Sequence, residues 1–95
     1  MRSFSFSDRK AKIVCTVGPA SSEPAVLARL ARSGMDVARL NASHGTHAGH
    51  ARVIRSLRLL TRRTGRPIGI LLDLQGPRIR VGRLAAPVTL KIGER

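Results

Sequence analysis

The chain has no tryptophan and no tyrosine, and Phe4 and Phe6 are its only phenyl rings. Any core must therefore be built from Val, Ile, Leu and Ala, the residues of buried parallel strands and the helices that cover them. A single cysteine, Cys15, excludes an internal disulfide; it stands in an apolar run, where it reads as a packing residue, and a reduced, cytoplasmic setting fits. Acidic residues are also scarce. Five Asp and Glu face 18 Lys and Arg, a formal charge of +13, which taken alone points to a polyanionic partner such as nucleic acid. No run approaches the length of a membrane span, and the first eight residues carry no continuous apolar stretch of secretory type. With 42% hydrophobic residues, a disordered chain is disfavoured.

What is present is a repeating order of short apolar runs and amphipathic segments. Lys12-Ile13-Val14-Cys15-Thr16-Val17, stopped by Gly18-Pro19, reads as a strand buried on both faces. Ser21-Ser22-Glu23-Pro24 offers a hydroxyl cap, an acidic first turn and a proline, and Val26, Leu27, Leu30 and Ala31 follow at helical spacing until Gly34, a left-handed terminator with Met35 packing back. Val37 to Asn41 is a second strand, and Ala42-Ser43-His44-Gly45 a loop. Over 46–64, Val53, Ile54, Leu57 and Leu60 form an apolar stripe opposite Arg52, Arg55, Arg58, Arg62 and Arg63, until Gly65 and Pro67 end the helix. Ile68-Gly69-Ile70-Leu71-Leu72 is a third buried strand, with Asp73 at its end. The order β-α-β-α-β, with strand starts roughly 25 to 31 residues apart, predicts right-handed crossovers and a parallel sheet. Past Gly76-Pro77, alternation at 79–81 and 88–92 predicts exposed, antiparallel β structure and a boundary near 82–87.

In parallel α/β folds, function gathers at the carboxyl ends of strands. Arg39, Asn41, Ser43 and His44 follow the second strand; Asp73, Gln75 and the Gly76-Pro77 turn follow the third. A guanidinium, amide and hydroxyl oxygens and a carboxylate on one rim suit a phosphorylated ligand and a bound cation, because Arg forks onto phosphate oxygens and hard cations prefer oxygen. A rim Arg beside an Asp is also a common structural ion pair.

Three words narrow the reading: Lys12 to Ser21 (KIVCTVGPAS), Ser33 to Thr46 (SGMDVARLNASHGT) and Leu72 to Arg80 (LDLQGPRIR). In this order and spacing they resemble successive signatures of pyruvate kinase. The resemblance, over about 9–83, implies the first β/α units of a TIM (β/α)8 barrel over 11–82, after an N-terminal tail at 1–10 and before the start of an inserted β-rich lid at 83–95. It implies phosphoryl transfer from phosphoenolpyruvate to ADP, giving pyruvate and ATP in the last step of glycolysis, with Mg²⁺ and commonly K⁺, in a cytoplasmic homotetramer. Arg39 matches the arginine that contacts the transferring phosphoryl group. Asn41, Ser43 and Asp73 match side-chain ligands of the monovalent cation, and Leu74 stands where a backbone carbonyl completes that set. Asn41, Ala42, Ser43 and His44, with Arg66 and Arg80, match nucleotide-binding positions.

Two residues depart from the pattern. Ala42 replaces a Phe, and Arg78 replaces the Glu of K⁺-dependent members; relatives with Lys there work without the cation, so the resemblance implies an enzyme in which K⁺ is dispensable. The family's catalytic lysine, Mg²⁺-binding Glu and Asp, and substrate-closing threonine fall beyond the matched region, so the 95-residue chain is expected to be inactive alone. The competing reading is a basic nucleic-acid-binding module built on the arginines of 46–64, whose spacing also describes a plain solvated face. His44, His47 and His50 invite a zinc reading, but no cysteine or carboxylate completes the set.

Overall fold

The computed structural model describes residues 9–95. Most of the expected 1–10 tail, with Phe4 and Phe6, lies outside them. Three strands and two helices alternate: β1 (Val14–Val17), α1 (Pro24–Ser33), β2 (Val37–Asn41), α2 (His47–Thr64) and β3 (Gly69–Asp73). The sheet is parallel throughout in the order β1-β2-β3. This is an α/β unit; closure into a barrel requires strands that these five elements do not contain.

Helix α2 follows its sequence signals closely. The Thr46 hydroxyl accepts the Gly49 N–H at 3.0 Å, and Gly65, at φ 72°, ends the helix in the left-handed conformation that a side chain would strain. Helix α1 starts differently from expectation. Glu23 is its N-cap and makes no side-chain cap, with Pro24 in the first turn and no acid there. The serines serve the preceding loop: the Ser21 hydroxyl accepts the Gly18 N–H at 2.9 Å. At its other end Gly34 has φ 122°, outside the left-handed helical well, while Met35 packs into the core as expected.

Strand alternation sends Val17, Ala38 and Leu40 toward the helices, where they meet Leu27 and Ala31 of α1, Met35, and Val53 and Leu57 of α2. Cys15 and Ile70 join this layer at its margin. Full burial of a Leu contributes about 1.5–3 kcal/mol, so Leu27, Leu40 and Leu57 are the main anchors of the core.

The expected burial of β1 and β3 on both faces is not met. Val14 and Leu71, on the face away from the helices, are about half exposed because both helices lie on the other face and nothing among the described residues covers this one. Leu72 is on the helix side, level with Leu40, and is half exposed as well, on the outer strand of the sheet. The expected antiparallel β structure at 79–81 and 88–92 does not form either. A strand needs a hydrogen-bonded neighbour, and no described segment offers one. Residues 74–95 instead run exposed, giving a radius of gyration of 17.8 Å, where a compact chain of this length has about 12 Å.

Candidate active site

The parallel register sets Arg39 between Thr16 of β1 and Leu71 of β3, and Asn41 opposite Asp73. Because side chains alternate, Thr16, Arg39, Asn41 and Asp73 all belong to the face away from the helices. Arg39 Nε donates to Asp73 Oδ2 at 3.1 Å, its Nη2 reaches the same oxygen, and its Nη1 donates to Thr16 Oγ1 at 3.2 Å. The Arg39 and Asp73 side chains are 32% and 35% exposed. Three of the five guanidinium N–H donors thus hold the group in place, leaving two for a ligand.

The loop after β2 is tied to this pair. Ala42 N–H donates to the Asp73 carbonyl at 2.9 Å, joining the ends of β2 and β3. Asn41 Oδ1 accepts the Ser43 N–H at 3.0 Å, and the Asn41 carbonyl accepts the His44 N–H at 3.2 Å, an Asx-type turn. Gly45 follows at φ 75°, and Thr46 then opens α2. Beside this loop a groove of about 900 Å³ runs between the β1–α1 connection and α2, walled by Thr16, Pro19, Asn41, His44, Arg52 and Arg55 among others.

Arg39, Asn41, Ala42, Ser43, His44 and Asp73 therefore share one rim. Asn41, Ser43 and Asp73, all half-buried, bring side-chain oxygens to this rim, the ligand type that hard cations prefer, beside the exposed imidazole of His44. The other sequence-predicted residues lie apart. Arg66 precedes β3 at the opposite end of the sheet, where its Nη1 donates to the Ala31 carbonyl at 3.0 Å near the end of α1. Leu74, Arg78 and Arg80 belong to the exposed 74–95 segment. Neither Arg78 nor Arg80 forms an ion pair among the described residues; the cation that meets Asp73 is Arg39. Ala42 is half-buried. Among the described residues, no three His, Cys, Asp or Glu side chains cluster as metal ligands.

Three contacts were not anticipated from sequence. Thr16 reads as a strand residue, yet strand alternation and register put its hydroxyl within reach of Arg39. His50 reaches the His44 carbonyl through Nε2 at 2.7 Å. At the amino end of β2, Asp36 is buried and receives a two-pronged guanidinium, Arg9 Nη1 on Oδ2 at 2.9 Å and Nη2 on Oδ1 at 2.6 Å. The Ile13 N–H, at 2.7 Å from Asp36 Oδ2, is the main cause holding this carboxyl below the usual aspartate range; burial opposes the shift, and the Arg9 charge and hydrogen bonds add to it. The signal available was an acid in an otherwise apolar word, just past a helix end.

Arg52, Arg55, Arg58, Arg62 and Arg63 are all exposed, on the side of α2 away from the buried Val53 and Leu57. No helix among the described residues is long and apolar enough to cross a membrane.

Comparison with known proteins gives a consistent result. Residues 8–95 match the family described as pyruvate kinase, barrel domain. The pyruvate kinase of Chlamydia muridarum is 46% identical over 86 residues, covering 90% of this chain and 18% of that protein. The pyruvate kinase of Corynebacterium glutamicum is 51% identical over 83 residues, 87% of this chain and 18% of the relative. A crystal structure of a pyruvate kinase from Cryptosporidium parvum superposes with a TM-score of 0.69 at 40% identity, over 76% of this chain and 15% of that one. The chain thus spans less than a fifth of the length of these relatives. By the match of nearly its whole length, this chain belongs to the pyruvate kinase family, its residues corresponding to part of the barrel domain.

Proposed function

We propose that this chain supplies the phosphoryl-binding rim of an enzyme that moves the phosphoryl group of phosphoenolpyruvate to ADP, yielding pyruvate and ATP. The observation that carries the reading is the three-point restraint of Arg39 by Asp73 and Thr16 beside the Asn41-to-His44 loop. In phosphoryl transfer, negative charge spreads over the equatorial oxygens, and catalysis is largely positioning and electrostatic stabilisation. A guanidinium already fixed by its neighbours meets that charge without reorganising. The loop residues Asn41, Ala42, Ser43 and His44 are assigned to the nucleotide, whose bulk the adjacent groove has room to take, and the exposed Arg80 to its phosphates. Arg66, engaged with Ala31 at the far end of the sheet, is left out of that set.

A monovalent cation, when bound, would add positive charge beside the phosphoryl group. Asn41, Ser43 and Asp73 would hold it through side-chain oxygens, and Leu74 through its carbonyl. Arg78 is proposed to make that cation dispensable. Mg²⁺ is assigned to carboxylates from the rest of the enzyme, with residues 11–82 as barrel, 83–95 as the start of a lid, and a cytoplasmic homotetramer as the working assembly.

The test is a graft. The matched segment of this chain replaces the corresponding 83 residues of the Corynebacterium glutamicum relative, and pyruvate formation is measured on chimera that retains the assembly size of its parent. Turnover within about tenfold of the parent is expected, since half the residues are unchanged, while the 95-residue chain alone should give none. A folded chimera without phosphoryl transfer, or real turnover by the isolated chain, overturns the proposal.

A further inference from the structure

Side chains on a helix lean back toward its N-terminus. His50, in the first turn of α2, accordingly lies over the cap that precedes it, with Nε2 at 2.7 Å from the His44 carbonyl. A carbonyl oxygen only accepts, so Nε2 must carry the proton; the neutral Nε2–H tautomer and the imidazolium both satisfy this contact. Gly45 lies under the ring. A Cβ there would come within 3.2 Å of His50 Cε1 and 3.3 Å of Nε2, so a side chain at position 45 would both displace the ring and strain the backbone at φ 75°.

The loop between β2 and α2 therefore has four anchors. Ala42 N–H is fixed to the Asp73 carbonyl, Ser43 N–H to Asn41 Oδ1, His44 N–H to the Asn41 carbonyl, and the His44 carbonyl to His50. The first three hold the loop from its beginning to the His44 amide. His50 fixes its end, where His44 and Gly45 also wall the groove.

We propose that His50 is a positioning residue for nucleotide binding: a latch that holds the 43–45 backbone in the shape that receives a nucleoside diphosphate. This rests on the assignment of that loop to the nucleotide under the proposed function. A latched loop binds without an ordering cost, whereas a loosened one incurs that cost on each binding event. Losing one neutral hydrogen bond is expected to weaken binding about five- to tenfold.

The experiment uses the chain itself. Long-range ¹H–¹⁵N NMR reads the tautomer of His50, titration with Mg-ADP reads affinity, and backbone relaxation at 43–45 reads loop order. His50→Gln offers an N–H close to the position of Nε2, while His50→Leu keeps the bulk without a donor. The expected result is a proton on Nε2, His50→Gln within about threefold of wild type, and His50→Leu about five- to tenfold weaker with lowered order at 43–45. A neutral Nδ1–H tautomer, or a Leu variant with unchanged affinity and unchanged order, overturns the latch. If the wild-type chain takes no Mg-ADP, the nucleotide assignment fails by itself, and the tautomer with the 43–45 relaxation still decides whether His50 is a latch.

Discussion

Replacing Arg39 by Lys separates an ion pair kept for stability from a cation kept for chemistry. The guanidinium spans three bonds, two to Asp73 Oδ2 and one to Thr16 Oγ1. A lysine has one nitrogen, so it cannot bridge both partners and present a fixed charge to a ligand. Both members of the pair are about one-third exposed, and solvent-screened pairs contribute about 0.2–1 kcal/mol. Folding free energy should therefore fall by no more than about 1 kcal/mol. The effect on transfer is of another size. Removing one preorganised group from a charge-stabilising site costs about 10²–10³ in kcat, or about 2.7–4 kcal/mol. Both quantities can be measured on the grafted enzyme, by urea unfolding and by pyruvate release under saturating phosphoenolpyruvate and ADP. A kcat within about fivefold of the parent, or a rate loss matched by an equal loss of folding free energy, would refute the electrostatic role.

Asp36 predicts an acid limb in the stability of the chain. Its native carboxyl titrates below the ordinary aspartate value of 3.8, so the unfolded state takes up the proton first; the contribution is complete above that value and disappears as pH falls through it and then through the lower native one. Asp36→Asn should flatten this limb in urea midpoints measured from pH 6 to 2, and an unchanged limb would show that other groups dominate. Arg78 predicts insensitivity to the monovalent cation. Turnover of the graft with K⁺ should equal that with a bulky inert cation within about threefold, since a guanidinium carried by the chain replaces a diffusible charge. Arg78→Glu should introduce dependence, and a strong K⁺ requirement in the unmodified graft would end the assignment.

What this sequence determined by itself is local. The ends of α2 were legible because Thr46 and Gly65 act within one turn of their own backbone, and β2 because a short apolar run between Gly34 and a polar loop has few other conformations. Positions near strand ends were equally readable, so Arg39 and Asp73 stood out before any contact was known. The tertiary structure decided how they meet. Residues 34 apart in sequence are joined only because β2 and β3 pair in one register, and a slip of one residue would send one of them to the helix-covered face. Arg9 on Asp36, Thr16 on Arg39 and His50 on His44 depend in the same way on chain segments brought together by packing or by a helix cap. The alternating words at 79–81 and 88–92 show the converse: period-two hydrophobicity is a property of a segment, but a strand is a property of a pair, and no described segment lies beside them.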